Sequence, residues 1–299
     1  MQVQRSFTSG SSGTADVAGA GKLYLVGTPI GNLEDITYRA VRTLREVDWI
    51  AAEDTRQTRK LLTHYEIHTR LVSYHEHNKQ ASGGELLRLV EEGASLALVS
   101  DAGLPAISDP GADLVSEAVQ RGIAVVPIPG ANAALSALIA SGLSTQRFHF
   151  AGFPPRDKKG IAAWLEGLQR QEGTLLVYES PHRVKRTLEA MLEAWGDRRM
   201  VMARELTKRH EELARGLIRD CLDWLEQQPP LGEYCLAVEG AEAAVASAAA
   251  PAEAAWWSAL ELEQHVTHYE GLLGDRKQAM KRAAADRGMT RREVYNALL

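Results

Sequence analysis

Three observations predict a protein of two α/β domains with a cleft between them, followed by a small helical module. From Leu23 to Pro127, short apolar runs alternate with stretches of helical periodicity, the pattern of parallel strands joined by crossover helices. Beyond Gly130 the strands lengthen and their ends become more charged, which points to a second sheet with its own helices. Beyond Asp275 the chain turns basic and reads as two short helices around a turn. A chain of 299 residues is too long for one modest core. The expected division is a disordered tail (1–21), a first α/β domain (22–127), a second (128–240), a linker (241–255) and a C-terminal helical module of helix-turn-helix type (256–299).

Composition is that of an ordinary globular protein, with 45% hydrophobic and 24% charged residues. No apolar run approaches the roughly 20 residues that span a bilayer, so no membrane role is expected. Cys221 and Cys235 provide no disulfide framework and fit a reducing cytoplasm. The net charge of −5 argues against a uniformly nucleic-acid-coating surface and leaves room for a local basic face.

The tail is rich in Ser, Gly, Thr and Ala and has no apolar period. Its end, Gly21-Lys22, is no P-loop, because the glycine needed five positions earlier is Asp16 and the pair precedes the strand. The first strand, Leu23 to Val26, runs into the loop Gly27-Thr28-Pro29-Ile30-Gly31-Asn32. Ala40, Val41 and Leu44 share one face of a helix over Thr37 to Glu46. The strand Trp49–Ala52 ends in Glu53 and Asp54, about where a dinucleotide fold places its ribose-binding acid, which keeps that chemistry as an alternative. Leu71 to Tyr74 is a further strand, and a helix closes over Leu86 to Glu92.

Leu96 to Val99 is apolar throughout, as a strand buried on both faces should be. The loop after it holds Asp101, Gly103, Pro105, Asp109, Pro110 and Gly111, and open α/β sheets bind ligands at such strand ends. A helix (Ala112 to Arg121) and a strand (Ala124 to Pro127) lead to Pro129-Gly130 and a helix over Ala133 to Ser141. That helix is apolar all round and so should be buried, with first-turn amides free to touch a ligand.

In the second half, strands at Phe148–Phe153, Thr174–Tyr178, Met200–Ala203 and Tyr234–Val238 alternate with helices at Ile161–Gln169, Val184–Trp195 and Leu217–Gln227. Polar stretches at three strand ends, Gly152 to Gly160, Tyr178 to Arg183 and Arg204 to Glu212, would converge with the central loop on one cleft if the strands are parallel. In the last module, Trp256, Leu260, Val266, Tyr269 and Leu273 fall near helical spacing, and Thr290 with Glu293 forms a capping box. Ala284, Gly288 and Val294 have helix-turn-helix spacing. Seven basic residues (Arg276, Lys277, Lys281, Arg282, Arg287, Arg291, Arg292) face three acidic ones (Asp275, Asp286, Glu293) there, which favours contact with a polyanion. Trp256, Trp257 and Tyr269 could instead dock the module for stability.

Among the histidines, His64 and His68 could share a helix face at metal-ligand spacing, with His75 and His77 nearby. No H-E-x-x-H motif or cysteine joins them, so no metal is expected. No G-x-S-x-G elbow is present and Ser100 has no evident histidine partner, which speaks against a hydrolase triad.

Six motifs taken together are more specific: GTPIGNLEDIT, AAEDTRQTRKLL, SDAGLPAISDPG, PIPGANAALSAL, YESPHR and RELTKRHEE. In this order they resemble the ribosomal RNA methyltransferases of the tetrapyrrole-methylase-like superfamily, whose donor is S-adenosylmethionine. The resemblance implies class III methyltransferase architecture with the donor between two α/β domains. It further implies 2′-O-methylation of a cytidine in 16S rRNA, in the decoding region of the small ribosomal subunit, by a cytoplasmic homodimer. Ser100, Asp101 and Ala102 would lie against the methionine part, Ile107 would form an apolar wall, and Asn132 and Ala133 would offer backbone groups. Pro29 would shape a rim, with Glu179, Glu205 and Leu206 bordering the adenosine. Candidates for a general base are Glu53, Asp54 and Glu76. Candidate RNA contacts are Arg56, Arg156, Lys158, Lys159, Arg183 and Lys208, with Arg276, Lys277, Lys281, Arg282, Arg291 and Arg292 from the C-terminal module. Gly160-Ile161 stands where further basic residues are usual, which weakens the RNA role of that loop. A same-fold enzyme acting on a tetrapyrrole or protein side chain, or a non-catalytic nucleotide- or RNA-binding protein, would be the alternatives. The basic C-terminal module and RELTKRHEE favour RNA over a porphyrin precursor.

Overall fold

A computed structural model describes Gln4, residues 21–242, Trp257 and residues 260–298, with Arg291 described by its backbone alone. Nearly all of the expected tail and linker, and Trp256, lie outside the described residues. Gln4 and Gly21 are the exceptions in the tail, and the Gln4 side-chain amide exchanges two hydrogen bonds with the backbone of Val125, at 2.7 and 2.9 Å. The described residues fall into two compact units, within Met1–Ala246 and Ser247–Leu299.

The first sheet is wholly parallel. Its strands are β1 (Lys22–Val26), β2 (Trp49–Ala52), β3 (Arg70–Ser73), β4 (Leu96–Val99) and β5 (Ala124–Ile128), in the order β3-β2-β4-β1-β5. Central β4 is buried along its length, as its unbroken apolar run requires. Helices α1 (Tyr38–Glu46) and α2 (Thr55–His64) pack through Ala40, Leu44 and Leu62 on one face. Helices α3 (Lys79–Glu91) and α4 (Gly111–Gln120) pack through Leu86, Leu87, Val90, Leu114 and Ala118 on the other. The chain leaves β1 for one face and β4 for the opposite face. A crevice therefore opens between the C-terminal ends of these adjacent strands, at the topological switch point.

The second sheet is mixed. It contains β6 (Phe148–Gly152), β7 (Thr174–Glu179), β8 (Arg199–Arg204), β9 (Glu212–Leu217) and β10 (Tyr234–Val238), in the order β6-β7-β10-β8-β9. Parallel strands, the stated condition for convergence, hold only in part. β6 pairs parallel with β7, whereas β10 runs antiparallel to both β7 and β8, and β9 antiparallel to β8. Two reversals cancel, so β6, β7 and β8 point the same way and their polar ends still emerge along one edge. Helices α6 (Lys158–Leu168), α7 (Val184–Trp195) and α8 (Ile218–Gln227) cover one face. Helix α5 (Ala133–Ser141) lies on the other, where Ala134, Ala137 and Leu138 meet Leu176, Val201, Ala203, Cys235 and Ala237. Only that stripe of α5 is buried. Contrary to expectation, Leu135 is exposed and Ile139 is 78% exposed.

The second unit has three helices with a separate core: α9 (Leu262–Leu273), α10 (Arg276–Asp286) and α11 (Arg291–Ala297). Val266, Ala279, Met280, Ala283, Ala284 and Val294 fill it. The capping box forms as read: Glu293 N–H donates to Thr290 Oγ1 at 3.3 Å, and Thr290 N–H donates to Glu293 Oε2 at 2.7 Å.

Candidate active site

At the switch point the loops after β1 and β4 are stitched together by reciprocal backbone hydrogen bonds between Thr28 and Gly103, at 2.9 and 3.1 Å. The loop after β4 is bent sharply. Ala106 and Ser108 adopt positive φ values of 68° and 65°, which cost non-glycine residues on the order of 1–3 kcal/mol each. Asp109 holds this shape, because Oδ1 accepts hydrogen bonds from the Ala106 and Gly111 amides at 2.9 and 2.7 Å. Its Oδ2 is buried without a partner among the described residues.

These loops and the second sheet's edge enclose a cavity of about 480 Å³. Eight of the ten expected donor contacts line it: Ser100, Asp101, Ala102, Ile107, Asn132, Ala133, Glu179 and Leu206. Pro29 does not, and the neighbouring Ile30 takes its place. Glu205 does not either. It accepts hydrogen bonds from Lys208 Nζ at 2.8 Å and from the Glu233 amide at 2.9 Å, which holds the strained turn after β8, where its own φ is 51°. Asp109, Phe153, Tyr178, Glu233, Tyr234 and Cys235 also line the cavity and were absent from the expected set. The last three lie just before and at the start of β10, which reaches the site only because that strand runs backwards. Tyr178 had a local signal: it precedes Glu179, and its hydroxyl accepts the Ala134 amide hydrogen at 3.2 Å, tying β7 to the first turn of α5.

The three candidate bases separate cleanly. Glu53 lines the cavity at the end of β2. Burial, then the charges of Asp101 and Asp109, hold its carboxyl above the usual carboxylate range. Asp54 caps α2 and chelates Arg56 at 2.8 and 3.1 Å, and these bonds lower its pKa to about 2. Glu76 is exposed, lies outside the cavity lining and pairs with Lys79 at 2.8 Å.

Several expected RNA contacts are already bonded to other groups of the protein. Arg183 grips the buried Glu179 carboxylate through Nε and Nη2, at 2.8 and 3.0 Å, and also donates to the Pro154 carbonyl. Lys208 bridges Glu205 and Glu233, and Arg276 pairs with Glu270 at 2.8 Å. Arg287, counted in the basic balance, bonds His265 Nδ1 at 3.1 Å and the Trp257 carbonyl, and sits 5.3 Å over the Trp257 ring. Trp257 and Tyr269 accordingly build the module's own interior. Arg56, Arg156, Lys158, Lys159, Lys277, Lys281, Arg282 and Arg292 are exposed. The Arg291 side chain lies outside the described set.

The expected pairing of His64 with His68 fails, because α2 ends at His64 and His68 follows the helix. Among the described residues no group of three or more His, Cys, Asp or Glu side chains could hold a metal ion. None of the described helices is long and apolar enough to cross a membrane.

The model of the tetrapyrrole (corrin/porphyrin) methylases matches residues 22–221. The chain is 54% identical to ribosomal RNA small subunit methyltransferase I of Halalkalibacterium halodurans, over 92% of this chain and 94% of that protein. It is 52% identical to the Bacillus subtilis protein of the same name, over 93% and 94% respectively. Among solved structures, uroporphyrin-III-C-methyltransferase from Thermus thermophilus shares the fold with a TM-score of 0.52 and 21% identity, over 73% of this chain and 94% of that one. The chain belongs to the tetrapyrrole methylase family and, within it, to the ribosomal RNA small subunit methyltransferase I group.

Proposed function

We propose that the protein transfers a methyl group from S-adenosylmethionine to the ribose 2′-hydroxyl of a cytidine in 16S rRNA, in the decoding region of the small ribosomal subunit. The observation that carries this reading is the placement of Glu53, a carboxylate with raised proton affinity, in the wall of a cavity at the switch point. A ribose hydroxyl is a weak acid, and a base whose pKa is shifted toward the working pH removes its proton more effectively.

The cavity suits the donor on two grounds. Its apolar walls, from Ile30, Leu104, Ile107 and Leu206, can enclose the uncharged parts. The buried, unpartnered Asp109 Oδ2 and the exposed Asp101 carboxylate suit a ligand bearing positive charge. When bound, the donor supplies a methyl group on a cationic sulfur. The chain's own part is alignment: Asp109 fixes the loop after β4, Asn132 caps α5 by accepting the Leu135 amide hydrogen at 2.9 Å, and Glu53 receives the hydroxyl proton. The reading extends to a cytoplasmic homodimer, for which the exposed Leu135 and Ile139 on α5 offer an apolar face.

Calorimetry with S-adenosylmethionine and with NAD, and mass mapping of 16S rRNA from cells with and without the gene, test this reading. Binding of S-adenosylmethionine alone, with loss of one ribose methyl on a cytidine in gene-free cells, is expected. Preference for NAD, or an unchanged methylation map, would overturn it.

A further inference from the structure

Phe153 is a large apolar side chain left 56% exposed at a cavity wall, and how it comes to be there is unusual. Side chains alternate between faces along a strand. In β6, Phe150 packs with α5 and Tyr178 on the cavity face, while Ala151 packs into the opposite core. Regular alternation would put Phe153 on Ala151's side. Instead the pairing slips: Phe150 faces Leu176, and Gly152, two residues on, faces Val177. This bulge, with Gly152 at a φ of +67°, returns Phe153 to the cavity face. There its ring lies 5.4 Å from that of Tyr178, which is itself packed 5.0 Å from Phe150. The result is an edge-to-face aromatic cluster with an open outer ring.

The chain beyond the ring is basic. Arg156, Lys158 and Lys159 are exposed, while the intervening Asp157 carboxylate is used as a helix cap, accepting the Gly160 amide hydrogen at 2.8 Å. An open ring followed within a few residues by three exposed cations that have no ion-pair partner among the described residues is the arrangement that binds single-stranded nucleic acid, a base on the ring and phosphates on the cations.

We infer that Phe153 is a positioning residue for the RNA, a platform on which the target base stacks while Arg156, Lys158 and Lys159 hold the flanking phosphates. This rests on the RNA-methyltransferase reading above. Its exposure and its cationic neighbours favour a base of the polymer over the adenine of the donor, whose expected contacts Glu179 and Leu206 lie on other strand ends.

The test uses the full chain and two probes. The first is binding of a cytidine-containing single-stranded RNA without donor, followed by fluorescence anisotropy. The second is S-adenosylmethionine binding by calorimetry. Phe153→Ala is expected to weaken RNA binding roughly tenfold, the scale of one lost base stack, and by clearly more than it weakens donor binding, and Phe153→Trp restores RNA binding. Replacing Arg156, Lys158 and Lys159 by alanine should flatten the salt dependence of RNA binding while leaving the ring's contribution in place. Weakened donor binding with unchanged RNA affinity in Phe153→Ala would assign the ring to the donor and overturn the inference. Unchanged values for both would overturn it too. Failure of the wild-type protein to bind the donor at all would instead strike the functional reading, leaving the RNA-binding comparison still decisive for the platform.

Discussion

Single side chains in this site differ less in type than in what surrounds them. Glu53, Asp54 and Glu76 are all carboxylates near strand ends, yet one is desolvated, one chelated and one ion-paired at the surface. Glu53→Gln is therefore expected to lower kcat by about 10²–10⁴-fold while leaving the S-adenosylmethionine Kd unchanged. In the wild type, activity should fall as pH drops through the raised Glu53 value, because the base must be ionised. The stability consequence has the opposite sense. The folded state binds this proton more tightly than the unfolded chain does, so stability declines as pH rises from the ordinary glutamate range through the raised value. Thermal melting of Glu53→Gln from pH 4 to pH 8 should lack that decline. Glu179 acts differently. It is 2% exposed, and its carboxylate accepts hydrogen bonds from Arg183, the Ser180 amide and Thr187 Oγ1. Glu179→Ala strands these donors and is expected to cost about 3–5 kcal/mol in urea unfolding. The sequence showed which residues carry charge and where strands end. It did not show that Arg183 would turn inward, because that depends on Glu179 being buried at the end of β7.

At the scale of elements, the first sheet was legible almost to the residue because parallel strands buried on both faces read as plain apolar runs. The second sheet was less so. Edge strand β9 was missed, since Glu-Leu-Ala-Arg-Gly-Leu mixes polar and small residues on a half-exposed strand. The backward run of β10 was missed because an apolar pentapeptide carries no sign of direction, and with it Tyr234 and Cys235 were missed as lining residues. The contact between the loops after β1 and β5 was likewise invisible. A Cβ on Gly27 would stand 2.8 Å from Gly130 Cα, so two backbones touch where neither can bear a side chain. Gly27→Ala must push apart the loops that carry Thr28 and Asn132. A lower melting temperature and at least tenfold weaker donor binding by calorimetry are expected, whereas an unaltered affinity would show that this contact does not shape the cavity.

Over the whole molecule, charge and folding are divided between the two units in a way that sequence only half revealed. The basic balance beyond Asp275 was legible, but it included cations that the fold consumes. Arg287 is bonded within the module's interior, Arg276 is exposed but paired with Glu270, and Lys277, Lys281, Arg282 and Arg292 are exposed. Among the described side chains of the module, these four are the exposed Lys and Arg outside an ion pair. The module has its own core, and the described residues that line the cavity all belong to the first unit. Removal of residues 247–299 is therefore expected to leave a cooperatively folding protein that binds S-adenosylmethionine with unchanged affinity. RNA binding should weaken, and the slope of log K against log salt should shrink by roughly three, since each phosphate neutralised contributes about 0.7–0.9. Substituting only Lys277, Lys281, Arg282 and Arg292 by alanine should reproduce the change in slope, because the module's core is untouched. If the truncated chain instead keeps its RNA affinity and salt slope but no longer folds cooperatively, the module is a stability element and its exposed cations are merely solvated.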